Sequence, residues 1–142
     1  MKIRILTLTA LAAVALSVPA LAQDGKLSAH LTGAAEKPNA GDPDGAGHAT
    51  FTVSTAQNQV CYDISVEKIA PATMAHIHKA PATAAGPPVL TLQAPGPDGK
   101  AKGCATADAA VVADIAANPG AYYVNVHNGE FPAGAVRGQL SK

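Results

Sequence analysis

From Val60 to Glu67 apolar and polar residues alternate without a break. Val60, Tyr62, Ile64 and Val66 would share one side of an extended chain, and Cys61, Asp63, Ser65 and Glu67 the other, because successive side chains of a strand leave opposite faces. This period of two predicts a half-buried β-strand. The pattern returns at Leu27, Ala29 and Leu31, and again at Ala49, Phe51 and Val53 within residues 48–55. Gln57-Asn58-Gln59 fits a hairpin connection between the second and third runs. Shorter β-type runs cover residues 89–92, 103–105, 121–127 and 135–140, and residues 36–47 and 95–99 are rich in Pro, Gly, Asp and Asn, as turns are. One helix interrupts them. Thr106 suits an N-cap, Asp108 suits the positive end of the helix dipole, Val111, Val112 and Ile115 fit one stripe, and Pro119-Gly120 stops it. The predicted fold is all-β: an antiparallel β-sandwich or Greek-key barrel with one short helix, at about 107–117.

The first residues bear on compartment. Lys2 and Arg4 precede an apolar run from Ile5 to Val18, and Ala20-Leu21-Ala22 places small residues where a signal peptidase reads. The run is shorter than the roughly 20 residues a bilayer span needs, and no Cys follows it. Cleavage is expected after Ala22, leaving residues 23–142 as a mature single domain in the periplasm or outside the cell. Without Lys2 and Arg4, eight basic residues stand against ten acidic ones, a net charge of −2. No Lys/Arg cluster offers phosphate a binding surface, so nucleic acid and an electrostatic membrane anchor are both excluded as expectations. No later segment predicts a membrane span. Cys61 and Cys104 are the chain's two cysteines. In an exported chain an even count favours a disulfide over free thiols.

Histidines carry the candidate chemistry. Met74, His76 and His78 leave the same side of one strand, and His127 closes another that has Tyr123 and Asn125 on its face. Neighbouring strands would let three imidazoles converge. Three imidazoles and an open position suit zinc or copper, and the Met74 thioether would tilt the choice toward copper(I). The competing reading is a hydrogen-bonded network under the long 79–88 loop, with His127 bonded to backbone. No Glu or Asp adjoins these histidines in sequence to act as a general base, and no G-x-S-x-G segment is present, so no catalytic residue is assigned. Arg137 is a candidate to bind a ligand carboxylate, or to pair with an acid such as Asp63. Asn125 is the other candidate ligand-binding side chain. Asp42-Pro43-Asp44-Gly45 lacks the distal Glu of a calcium loop and reads as a solvated turn.

Two segments resemble a known family. One is Ala75-His76-Ile77-His78 followed by Pro88-Val89-Leu90. The other is Ala121-Tyr122-Tyr123-Val124-Asn125-Val126-His127 followed by Pro132-Ala133-Gly134-Ala135-Val136-Arg137-Gly138-Gln139-Leu140. Together with Thr32 to Pro38 and the helix ending at Pro119, they make residues 23–142 similar to the chordin-type CHRD domain, in its bacterial, exported, single-domain form. The loop after His78 lacks that family's usual glycines, and Ala135 stands where its pattern has Glu. The resemblance implies a β-sandwich-like extracytoplasmic domain and no defined activity. The functional expectation is therefore a non-catalytic binding module contacting an extracytoplasmic protein or glycan. The alternative is a small copper- or zinc-binding protein using His76, His78 and His127, distantly similar to copper-zinc superoxide dismutase but without that family's histidine-rich zinc loop.

Overall fold

A computed structural model describes residues 24–142, so the expected signal peptide lies outside the described residues. Eight strands form one antiparallel sheet: β1 (Gly25–Thr32), β2 (Ala46–Ser54), β3 (Gln59–Glu67), β4 (Ala72–Lys79), β5 (Pro88–Leu92), β6 (Lys100–Thr106), β7 (Tyr122–Asn128) and β8 (Val136–Gln139). Among the described residues one α-helix, α1 (Ala109–Ala117), lies between β6 and β7. The strand order is β5-β4-β7-β8-β1-β2-β3-β6. The two end strands, β5 and β6, approach each other without a hydrogen-bonded ladder. The sheet is thus a nearly closed barrel. With β5 beside β6, β3 lies next to β6 although β4 and β5 intervene in the chain, which is Greek-key connectivity. No helix among the described residues is long and apolar enough to cross a membrane.

The alternation seen in the sequence decides which side chains enter the barrel. Leu27, Ala29, Leu31, Ala49, Phe51, Val53, Val60, Tyr62, Ile64 and Val66 are all buried. Ala29 faces Ala49, which faces Ile64, and Leu27 faces Phe51, which faces Tyr62, so small and large residues alternate along neighbouring rungs. Asn58 takes the left-handed turn conformation (φ 51°) that closes the β2–β3 hairpin. From the far side Ile77, Leu90, Leu92, Val124, Val126 and Val136 complete the core. Val112, Ile115 and Ala116 of α1 are buried against it. Asp114 anchors the helix by accepting hydrogen bonds from Tyr122 Oη, Lys79 Nζ (2.6 Å) and Asn118 Nδ2 (2.8 Å).

Three sequence expectations are revised. The helix begins at Ala109, not 107, and Thr106 is the last residue of β6. The cause is local: Thr106 pairs with Gln59, and the Ala107 N–H donates to Asn58 O at 3.1 Å, which keeps the chain extended. Strand β6 starts at Lys100, three residues before the expected run, because pairing with β3 extends it through a segment poor in large apolar side chains. Asp42 is buried rather than solvated. Its Oδ1 accepts from the N–H groups of Asp44 (3.3 Å) and Gly45 (3.2 Å), a local turn of the Asx kind.

Cys61 and Cys104, directly opposite on β3 and β6, form a disulfide. The β1–β8 seam is thinner. It pairs Thr32 with Arg137 and is closed by mutual Ser28–Ser141 backbone bonds of 2.8 and 2.9 Å. Between these, a Cβ on Gly138 would collide with the backbone oxygen of His30. Gly138→Ala is therefore expected to push β8 off β1 and destabilise the domain by about 1–3 kcal/mol, the usual range for overpacking. Denaturant unfolding measures this, and an unchanged midpoint would mean that the seam yields freely.

Candidate metal centre

The outer wall of the barrel at β4, β7 and β8 carries the polar face of the same alternation. Register places residues in rows across it. Thr91, His76, Asn125, Arg137 and Thr32 form one row across β5, β4, β7, β8 and β1. His78, Tyr123 and Gln139 form the next row, and Met74 lies opposite His127 on the other side. Strands β4 and β7 are neighbours, so the expected convergence of histidines occurs: one ring nitrogen from each of His76, His78 and His127 lies within 4.8 Å of the others.

Two of the rings are fixed from behind. His78 Nδ1 lies 2.8 Å from Gly86 O, and His127 Nδ1 lies 3.0 Å from Pro132 O. A carbonyl only accepts, so in each neutral ring Nδ1 carries the proton and Nε2 is left with a lone pair. His76 Nδ1 stands 3.2 Å from His127 Nε2. His78 Nε2 is buried and has no hydrogen-bond partner. Burial, with the neighbouring imidazoles His127 and His78 adding to it, holds the His76 ring below the ordinary histidine range. Burial also lowers His78, against an opposing pull from the Gly86 carbonyl. Both rings are thus biased toward the neutral form that a metal requires.

Loops supply these carbonyls and are themselves tied down. The turn after β7 is closed by Asn128, whose Oδ1 accepts from the Phe131 N–H at 2.7 Å, and this sets Pro132 beside His127. The β4–β5 loop lies over the histidine strands, as expected. Arg137, 1% exposed, donates to Ala84 O and Pro81 O at 2.9 Å each, and Gln139 donates to Ala80 O at 2.7 Å. The Arg137 guanidinium also lies 3.4 Å from the Tyr123 ring centre, and that ring stacks on His78 at 4.8 Å.

The suggested Arg137–Asp63 pair is not formed. Asp63 sits three strands away on β3, where it is exposed and faces Lys102 at 3.5 Å. The buried acid near Arg137 is Glu36, and sequence reading missed it. Burial pushes its carboxyl up to about 7, against the pull of Arg137 and of hydrogen bonds from Asn125 and the Lys37 backbone. Glu36 lies against Gly134, whose φ of 143° and lack of a side chain leave room for the carboxyl. Asn125, 2% exposed, reaches both Glu36 and His78. Met74 is 47% exposed. The two remaining histidines, His30 and His48, face each other across β1 and β2 on the exposed surface.

The family model of the CHRD domain matches residues 27–140, a span that holds all three clustered histidines. No curated protein and no solved structure matches the chain.

Proposed function

The chain belongs to the CHRD domain family, and from that premise we propose that it is an exported, non-catalytic binding domain whose ligand is a metal ion, copper or zinc, held by His76, His78 and His127. One observation carries this reading: three imidazoles meet, and two of them are oriented by backbone carbonyls so that Nε2 is left with a lone pair. Metal-bound histidines have this outer support, because a hydrogen bond on one ring nitrogen fixes the tautomer and raises the basicity of the other. The His76–His127 separation of 3.2 Å is close to the edge of a zinc or copper tetrahedron, about 3.3 Å for metal–nitrogen bonds near 2.0 Å. Tight binding by the His78 lone pair would also relieve a buried acceptor that otherwise lacks a partner. A protein or glycan partner rests on family membership alone, whereas the metal reading has geometry behind it.

The test uses the mature protein without a histidine tag, titrated with Zn(II) and Cu(II) and assayed for metal by mass spectrometry. His30 and His48 also face each other, so a His30→Ala/His48→Ala variant serves as control. One equivalent should bind tightly, survive in that control and disappear in His76→Ala/His78→Ala/His127→Ala. Binding that persists in the triple variant, or never occurs, would remove the metal site.

A further inference from the structure

Two buried acceptor atoms beside the histidine cluster lack a hydrogen-bond partner. His78 Nε2 has no partner, and neither does Asn125 Oδ1. The Asn125 amide nevertheless reaches the His78 ring. Two acceptors cannot satisfy each other, and a buried polar group left unpaired is costly. On its other side the amide lies near the Glu36 carboxyl, whose Oε1 likewise lacks a hydrogen-bond partner. The backbone supports the same placement. Asn125 is the register partner of both His76 and Arg137 and shares the outer face of β7 with His127.

We propose that Asn125 Oδ1 is the fourth donor of the metal centre, completing a set of three nitrogens and one oxygen. This rests on the metal reading above and refines it. An amide oxygen is a hard donor, of the kind that favours divalent ions, whereas copper(I) is drawn to soft sulfur. Met74 is 47% exposed, whereas Asn125 is 2% exposed. The site therefore selects Zn(II) or Cu(II) over Cu(I), the reverse of the tilt that Met74 suggests in the sequence.

Competition against chelators would give Zn(II) and Cu(I) affinities for the wild-type mature protein, Asn125→Ala and Asn125→Asp, each first checked for folding by thermal melting. Asn125→Ala should weaken Zn(II) by about 10–100-fold, as loss of a supporting group at a metal site does, and leave Cu(I) unchanged. Asn125→Asp keeps an oxygen and should retain Zn(II). Equal weakening of both metals would make Asn125 a residue of shape only and overturn the proposal. Unchanged Zn(II) binding in Asn125→Ala would overturn it too, assigning the amide to the hydrogen-bond network. Wild-type protein that binds neither metal would instead defeat the three-histidine reading itself, a result visible before any variant is made.

Discussion

Replacing Cys61 and Cys104 by serine is expected to lower folding stability by about 4 kcal/mol, the chain-entropy value for a loop of this length. The bond joins residues separated by 43 in sequence. It lies on the outer face of β3, whose inner face is Val60, Tyr62, Ile64 and Val66, so its loss opens no cavity in the core. The effect should therefore come from the freedom regained by the unfolded chain. It also has a local component. Strand β6 is laddered only to β3, because its other edge meets β5 without hydrogen bonds. With the bond gone, the amides of Lys100–Thr106 should lose hydrogen-exchange protection before those of β1, β2 and β7. Denaturant midpoints with and without reductant give the global value. A loss under about 1 kcal/mol would show that the strand pairing already restricts the unfolded chain, an exception to loop-closure entropy. Domains are commonly stable by only about 5–15 kcal/mol, so a loss of this size ties the fold to oxidising compartments.

The inner faces of β1, β2 and β3 were legible because large apolar residues strictly alternate with polar ones there, and burial follows that alternation residue by residue. The His-x-His face of β4 and the Tyr123–Asn125–His127 face of β7 follow from the same period. That the two faces adjoin is a fact of topology, since β5, β6 and α1 intervene in the chain between them. Arg137 could be recognised as a buried cation in want of a partner, but not given one. Its acceptors are the carbonyls of Pro81 and Ala84, and a backbone oxygen carries no signature in a sequence. Glu36 was hidden for a related reason. It sits outside any alternating run, and it is buried by contacts with Gly134, Asn125 and Arg137, roughly a hundred residues further along the chain. The start of α1 depended in the same way on a tertiary bond, from Ala107 to the β2–β3 turn.

Glu36→Gln is expected to make the domain more stable than wild type by about 3 kcal/mol at pH 8 and by less than about 1 kcal/mol at pH 5. The groups facing Glu36 are Arg137, Lys37 and Asn125. All three favour the carboxylate, yet burial outweighs them and pushes the carboxyl from 4.5 up to about 7. A raised pKa means that the folded state holds its proton more tightly than the unfolded chain does. Below pH 4.5 both states are protonated and this contribution to stability is complete. Between pH 4.5 and 7 the unfolded chain releases its proton first, and stability falls by about 1.4 kcal/mol per pH unit, levelling off once the folded carboxyl has ionised. Over that window the loss is about 3 kcal/mol. His76 and His78 oppose it in the wild type. Their pKa values are lowered, so they contribute stability that grows as pH rises toward the ordinary histidine range. Asp114, held well below the usual carboxylate range by Lys79, Tyr122 and Asn118, changes only at more acidic pH. Subtracting the wild-type curve from that of Glu36→Gln cancels all three and isolates Glu36, since Gln keeps the size and loses only the titration. Urea unfolding at half-unit steps from pH 5 to pH 8, on metal-free protein, would trace the difference. Parallel curves would mean that Glu36 is ionised throughout, the pull of Arg137 and Lys37 outweighing burial.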